Sequence, residues 1–139
     1  MFCPAKQGTQ TAALAATGTT GPSDTVSNEL WDGSSWTEVN NLNSTHAFSD
    51  GNGTSTAALA IGRGPSPRAF VESWDGTNWT EVGDLNTGRN TMGGSGASNT
   101  AALCFGGTIS PNATELWNGS NWTEVNNMAT GRIYLSGAG

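Results

Sequence analysis

The feature that most constrains this chain is an eleven-residue sequence that occurs three times. It begins at Glu29, Glu72 and Glu115 and has the form Glu-x-Trp-Asp/Asn-Gly-x-x-Trp-Thr-Glu-Val. The copies lie 43 residues apart without an insertion, so three such units account for nearly all of the 139 residues. A period of about 20 to 50 residues is typical of solenoids, propellers and other arrays of one repeated unit. We therefore predict one repeat domain, with no room for a two-domain enzyme.

A second block recurs in step with the first. It has the sequence Thr-Ala-Ala-Leu and occurs at 11–14, 56–59 and 100–103. Its spacings of 45 and 44 residues differ slightly from those of the first block, so the insertions fall between the two blocks. Because loops accept such changes more readily than strands do, this pattern places loops between the blocks.

Each unit has the signature of a β-hairpin. In the first unit Trp31 and Trp36 flank the sequence Asp-Gly-Ser-Ser, and an Asp-Gly or Asn-Gly pair between short runs of strand-forming residues predicts a tight turn. In that register the two indoles face each other, and such a pair adds about 0.5 to 1.5 kcal/mol beyond burial. The tryptophans predicted to form the cores of the units are Trp31, Trp36, Trp74, Trp79, Trp117 and Trp122.

The remainder of each unit supplies two more strands. The Thr-Ala-Ala-Leu block predicts a buried strand whose small side chains allow neighbouring backbone to approach closely, and the segment before it, such as 90–96, predicts another. The composition agrees, because 20 glycines and only 12% charged residues favour turns and short strands over helices. The predicted fold class is all-β, with four strands in each unit.

Charge and hydropathy exclude several classes of partner. The net charge is −6, and the five cations Lys6, Arg63, Arg68, Arg89 and Arg132 are dispersed, so no basic stripe is available for phosphates. We expect no nucleic-acid binding. The longest apolar runs are far shorter than the roughly 20 residues of a membrane span, so we expect no membrane insertion, and the first residues lack the pattern of a signal peptide.

The third unit carries the features of a known repeat. A strand ending in Gly-Gly at 103–107 is followed by Trp117, by Trp122, and by an arginine after the turn at 128–132. This order resembles the kelch motif, and the resemblance covers nearly the whole chain, although His46 replaces the arginine after the first unit. The resemblance implies four-stranded blades of a β-propeller. The units also look like those of repetitive surface or tail-fibre proteins of aquatic bacteria and their phages.

Under this resemblance the blades span 1–45, 46–88 and 89–131, and 132–139 form a surplus strand. Propeller rings usually have about four to eight blades, so three blades must recruit further units. We predict that the surplus strand enters a neighbouring copy, since Pro4 weakens the N-terminal alternative. A ring of two copies and a head-to-tail fibre both satisfy this prediction. The residues of the predicted assembly strand are Ile133, Tyr134, Leu135, Ser136 and Gly137.

Two kinds of covalent modification stay open. The glycosylation candidates are the Asn-x-Ser/Thr sites Asn43, Asn52, Asn78, Asn112, Asn118 and Asn121. They indicate either a sugar-covered extracellular surface or the ordinary use of Asn and Thr in turns and strands. The two cysteines, Cys3 and Cys104, form either one disulfide or two free thiols.

Two sets of glutamates recur at constant phase. Closed into a ring, each set would be a circle of carboxylates that suits calcium or a cationic ligand. The alternative is that they protect exposed strands or pair with a recurring arginine, for which Arg89 and Arg132 are candidates. We favour that alternative and predict no metal and no cofactor. The sets are Glu29, Glu72 and Glu115, and Glu38, Glu81 and Glu124.

No motif supports catalysis. Copper chemistry of the galactose-oxidase kind needs several tyrosine and histidine ligands, but Tyr134 and His46 are the only residues of those types. Ser-His-Asp catalysis meets the same obstacle, because His46 stands at an arginine-equivalent position and is predicted to be a turn residue. We predict that the protein is not an enzyme.

These observations favour a non-enzymatic structural or adhesive repeat protein. We expect it to bind copies of itself outside the cell, on a cell surface, in an extracellular filament or on a virion. An alternative is a carbohydrate-binding, lectin-like propeller that recognises glycans, and a third is a fragment of a catalytic propeller.

Overall fold

The structure is a computed structural model that describes residues 5–46, 50–63 and 68–138. Within those ranges all regular secondary structure is β-strand, arranged as three antiparallel sheets of four strands each, with no helix. The prediction of an all-β fold is confirmed. Within each sheet the strands lie side by side in chain order, so every connection is a hairpin between neighbours.

The three sheets follow one another along the chain. Sheet 1 contains β1 (Ala5–Thr9), β2 (Ala12–Ala16), β3 (Asn28–Trp31) and β4 (Trp36–Val39). Sheet 2 contains β5 (Asp50–Thr54), β6 (Ala57–Arg63), β7 (Arg68–Trp74) and β8 (Trp79–Glu81). Sheet 3 contains β9 (Gly93–Ser98), β10 (Ala101–Phe105), β11 (Thr114–Trp117) and β12 (Trp122–Val125). The Thr-Ala-Ala-Leu blocks therefore lead into β2, β6 and β10, as predicted.

The tryptophan hairpins form as predicted. In sheet 2, Trp74 and Trp79 are directly paired in the ladder, with ring centroids 5.4 Å apart and planes tilted by 39°. The turn between them is held by Asp75, whose Oδ1 accepts hydrogen bonds from the backbone N–H groups of Thr77 and Asn78, each at 2.8 Å. The other two sheets repeat this pairing at 5.5 and 5.3 Å.

Glycine allows the first two strands of sheet 2, β5 and β6, to approach each other closely. Gly53 has a φ of +111°, and a Cβ atom there would lie 2.2 Å from the carbonyl oxygen of Ala57. No side chain fits in that space, and L-residues rarely adopt that backbone conformation. The first strands of successive sheets, β1, β5 and β9, lie beside one another, so the glycine-rich edges of the three sheets converge on one side of the molecule.

Two hydrophobic clusters join the sheets. The first combines the side chains of Leu14, Ala16 and Leu42 with the small residues of β6 and the tryptophan pair of sheet 2. The second combines Leu59 and Ile61 with Met92, Cys104 and the tryptophan pair of sheet 3. The tryptophan pairs of sheets 2 and 3 therefore lie against the sheet that precedes each of them in the chain, and the two interfaces repeat the same arrangement.

The segment after sheet 3 differs from its predicted form. Within the described residues, 133–138 form no strand, although the backbone N–H of Tyr134 donates to Thr91 O at 2.8 Å and Ser95 Oγ donates to Ala138 O at 3.1 Å. These contacts place the segment beside β9, where the first strand of a further sheet would lie. It lacks the second strand that would complete a ladder, and its pairing with another copy stays a prediction.

Candidate functional site

A buried network of hydrogen bonds surrounds Glu72, at the junction of sheets 1 and 2. Its Oε2 atom accepts hydrogen bonds from the backbone N–H and the side-chain Nδ2 of Asn43, both at 2.9 Å. Its Oε1 atom accepts from the backbone N–H of Ser44 at 2.8 Å and lies 3.1 Å from Nε2 of His46. His46 and Glu72 are both buried. We call this set, Asn43, Ser44, His46 and Glu72, the first carboxylate clamp.

The same arrangement recurs around Glu115, at the junction of sheets 2 and 3. Asn86 donates to Oε2 through its backbone N–H and its Nδ2 at 2.8 and 2.9 Å, and the Thr87 N–H donates to Oε1 at 3.3 Å. Arg89 stands where His46 stands and forms a fully buried ion pair with Oε1 of Glu115. We call this set, Asn86, Thr87, Arg89 and Glu115, the second carboxylate clamp.

The clamps fix the loops that link one sheet to the next. Asn43 Nδ2 also donates to Trp79 O, and Asn86 Nδ2 donates to Trp122 O, so each asparagine joins the loop to two strands of the following sheet. Arg89 further donates to Thr87 O and Ala113 O. Because a buried carboxylate needs a full set of donors, these contacts specify how neighbouring sheets dock.

Hydrogen bonding controls the ionisation of Glu72. Burial alone would raise the pKa of this carboxyl, but hydrogen bonds from His46 and from the backbone and side chain of Asn43 outweigh that effect and lower the pKa below its ordinary value. Glu72 is therefore held as a carboxylate at neutral pH, which is the form that accepts all of the clamp donors.

The first set of repeated glutamates thus divides into buried and exposed members. Glu72 and Glu115 meet His46 and Arg89, which confirms for Glu115 the predicted pairing with a recurring arginine. Glu29, at the same position in sheet 1, is exposed. In the second set, Glu38, Glu81 and Glu124 are all exposed. His46 lies in a loop, as predicted, but it is a fully buried member of a clamp and not a simple turn residue.

The face of sheet 1 that points away from sheet 2 exposes an aromatic group. Trp36 is 50% exposed, whereas its equivalents Trp79 and Trp122 are 5% and 6% exposed. The difference has a simple cause: sheets 1 and 2 cover the equivalent tryptophans of the sheets that follow them, and no described residue covers Trp36 in the same way. Glu29 lies on this face too, since alternate residues of a strand share one side.

The outer face of sheet 3 is the opposite end of the array. Leu116 is 42% exposed and Val125 is 39% exposed. The equivalents of Val125, which are Val39 and Val82, pack against the clusters between the sheets. Arg132, the equivalent of Arg89, is exposed here as well. The interface between neighbouring sheets occurs twice inside the chain. The exposed face of sheet 1 has the residues of one side of that interface, and the exposed face of sheet 3 has those of the other side.

The predicted glycosylation sites fall into two groups. Asn43 uses its Nδ2 in the first clamp, and Asn52 is only 4% exposed, so a sugar on either Nδ2 would displace packed groups. The remaining sites lie on exposed turns or loops: Asn78, Asn112, Asn118 and Asn121. Their exposure permits modification, and their occupancy stays a prediction.

Cys104 is a free thiol inside the cluster between sheets 2 and 3. Burial raises its pKa to about 12, against a smaller lowering effect of the Arg89 charge. Cys3 lies outside the described residues. A bridge between the two cysteines would require the N-terminal strand to enter another sheet, and it stays a prediction.

Three further kinds of feature bear on function: metal sites, membrane-spanning helices and surface depressions. No group of three or more His, Cys, Asp or Glu residues there could hold a metal ion. The described residues also contain no helix with the length and hydrophobicity to cross a membrane. One open depression of about 130 Å³ lies among β1, β5 and β9, the first strands of the three sheets. It is lined mainly by glycines, with Asn52 and Ser95 beside it. None of the residues that line it has an acidic or basic side chain.

Comparison of the chain with protein-family models gives no match, and comparison with curated proteins gives no significant relative. The repeat and the interfaces therefore carry the functional argument.

Sequence reasoning missed the clamp asparagines. The signal was present, because the segments 42–46 and 85–89 share the pattern Leu-Asn-Ser/Thr-x-His/Arg at the common spacing of 43 residues. The pattern resembles an ordinary polar loop. Only the fold shows that its donors converge on a glutamate that lies about 29 residues further along the chain.

Proposed function

We propose that this protein is a non-enzymatic structural or adhesive building block that assembles with copies of itself. In this proposal the three sheets are blades of a kelch-like β-propeller. The place of action is outside the cell, on a cell surface, in an extracellular filament or on a virion. The partners are copies of the same chain, and glycans, attached or bound, are secondary partners.

One observation carries the proposal: the exposed ends of the array are complementary. Trp36 at one end and Leu116 with Val125 at the other are large apolar side chains in exposed positions. The equivalents of Trp36, which are Trp79 and Trp122, pack in the two internal clusters together with the equivalents of Val125, which are Val39 and Val82. We take these exposed apolar side chains as interaction sites, for which a second copy supplies the matching surface. Such a head-to-tail contact gives a six-bladed ring when two copies close and a fibre when they do not.

The predicted assembly strand fits this proposal. Residues 133–138 lie beside β9, in the position that the first strand of a following sheet would occupy. In an assembly this segment either enters the neighbouring copy as an added strand or gives way to the neighbour's own β1. Deletion of 133–139 separates the two, because strand donation requires the segment and simple stacking does not.

The carbohydrate-binding alternative depends on tryptophans that are free to stack on sugars. Trp74, Trp79, Trp117 and Trp122 are buried against neighbouring sheets, which leaves the half-exposed pair of sheet 1 for such a role. Assembly covers the same pair. The two functions therefore compete for one surface.

The test is light scattering and electron microscopy of the purified chain over a range of concentrations, together with a glycan array. Reversible growth of rings or fibres with concentration supports the proposal. A chain that stays monomeric at every concentration and binds glycans overturns it in favour of the lectin function.

A further inference from the structure

Each end of the array carries one charged member of the second carboxylate clamp without its partner. Glu29 has the position of Glu72 and Glu115, but it is exposed, and its carboxylate has no hydrogen-bond or ion-pair partner among the described residues. Arg132 has the position of Arg89, and its guanidinium is likewise exposed without a partner in the described part of the chain. One copy of the molecule therefore offers a carboxylate at one end and a guanidinium at the other.

The loop that carries Arg132 shares a backbone anchor with the internal loops. Before each clamp the chain is anchored by a backbone hydrogen bond at one repeated position: Leu42 N to Val26 O at 3.1 Å, Leu85 N to Ala69 O at 2.9 Å, and Met128 N to Asn112 O at 2.8 Å. The six residues involved lie at constant intervals of 43. The third loop thus leaves its sheet as the other two do, although the described residues form no fourth sheet for it to contact.

We infer that Arg132 of one copy binds Glu29 of the next and forms an intermolecular version of the second carboxylate clamp. This inference rests on the proposed self-assembly and identifies the polar contact that sets its register. Arg132 and Glu29 have opposite charges and stand at the positions of Arg89 and Glu115, which pair inside the chain. This complementarity argues that the partner of each end is a second copy of the chain. Ala129 and Thr130 lie 43 residues after Asn86 and Thr87, so in this inference their backbone N–H groups are the further donors to Glu29.

The intermolecular clamp lacks one component of the internal ones. Ala129 stands where Asn43 and Asn86 contribute a side-chain Nδ2 to the carboxylate. The contact between copies therefore has two fewer hydrogen bonds than the contact between sheets, one to the carboxylate and one to the backbone of the outer hairpin. We expect it to be weaker and reversible for that reason.

The charge pattern permits a decisive exchange experiment. Glu29→Arg and Arg132→Glu each place like charges at the contact, so each variant alone is expected to lose at least about tenfold in association affinity. In a mixture of the two variants every contact between unlike copies has opposite charges, and in the double variant every contact does. We expect both to recover assembly close to that of the wild type, measured by sedimentation velocity at low salt.

The matched control is Glu124→Arg. The substitution makes the same charge change as Glu29→Arg. Glu124 is exposed on the opposite side of β12 from Val125, so it lies away from the assembling face of sheet 3. We expect its assembly to match that of the wild type. Circular dichroism of each variant at low concentration checks that the fold is unchanged.

A gain-of-function variant completes the test. Ala129→Asn supplies the missing Nδ2 and is expected to tighten association by about tenfold, since a hydrogen bond to a charged group contributes about 1.5 kcal/mol or more.

The outcomes distinguish the inference from the proposal on which it rests. If the wild type does not associate, the proposed function fails. If the wild type assembles but the charge variants assemble equally well, or if their mixture fails to recover, the pairing of Arg132 with Glu29 is wrong while self-assembly stands. Recovery in the mixture and in the double variant, with tightening by Ala129→Asn, supports the pairing.

Discussion

Arg89 and Glu115 form a salt bridge in which both side chains are fully excluded from solvent. The guanidinium belongs to the loop between sheets 2 and 3, and the carboxylate belongs to the third strand of sheet 3. Two buried charges of this kind are stable only when the remaining donors and acceptors are also satisfied, and here Asn86, Thr87 and Ala113 satisfy them. The pair therefore fixes the docking of one sheet on another more than it adds net stability.

Replacement of Arg89 by Met is expected to destabilise the chain strongly. The change leaves the buried carboxylate of Glu115 without its cation, a loss of about 3 to 5 kcal/mol in the free energy of unfolding. Arg132→Met is the matched control, because the same change at the exposed equivalent is expected to alter the stability of the monomer by less than about 0.5 kcal/mol. Urea unfolding followed by circular dichroism measures both. Equal effects of the two substitutions would contradict the buried clamp.

Acidification is expected to weaken the first clamp through Glu72. The pKa of this carboxyl is lower in the folded chain than its ordinary value of 4.5, so the unfolded chain binds the proton more readily. Stability from this group is complete above about pH 4.5 and is lost as the pH falls through the lower, folded pKa.

The measurement is the free energy of unfolding between pH 6 and pH 2, compared with that of Glu72→Gln. The variant is less stable at neutral pH, and it is expected to show a shallower loss of stability with acid, because it lacks the titrating group. Asp32 also titrates in this range, since hydrogen bonds from the backbone of Ser35 and Ser34 lower its pKa to about 2. Its titration is common to the wild type and the variant, so the difference between their acid slopes reports on Glu72. An unchanged acid slope in Glu72→Gln would show that the clamp does not depend on the ionised carboxylate.

The hairpins were predictable from sequence because their signals are local. The Asp-Gly or Asn-Gly turn and the two flanking tryptophans lie within six residues, and the 43-residue period repeats that evidence in every unit. The clamps were not predictable in the same way. Asn43 meets Glu72 and Asn86 meets Glu115 only after two sheets dock, so neither member of a pair carries a local mark of its partner.

The periodicity of the sequence also conceals a difference that the fold makes clear. Glu29, Glu72 and Glu115 each stand two residues before the first tryptophan of their repeat, yet one is exposed and two are buried. Position in the array decides this, because a residue at an end lacks the preceding sheet. Repeat proteins in general bury their units against neighbours, so the two ends differ from the middle even when the sequence does not.

The tryptophans of successive sheets are expected to differ in their contribution to stability. Trp79→Ala removes a buried ring from the interface of sheets 1 and 2 and should lower the free energy of unfolding by about 3 to 5 kcal/mol. Trp36→Ala removes the half-exposed equivalent and should cost less than half as much in the monomer. Urea unfolding at a concentration that prevents association measures both, and similar losses would contradict the exposed end of sheet 1.

Cys104 is expected to resist alkylation in the native chain. Its thiol is completely buried, and burial raises its pKa to about 12, so almost none of it is thiolate at pH 8.5. An unfolded cysteine has a pKa near 8.5, and the thiolate is the reactive form, so ionisation alone slows the native reaction about a thousandfold. The Cys3→Ser variant isolates this thiol, and mass spectrometry after timed exposure to iodoacetamide, with and without urea, measures the two rates. Rapid labelling of the native variant would show that the interface between sheets 2 and 3 opens, because the thiolate forms only when water reaches that cluster.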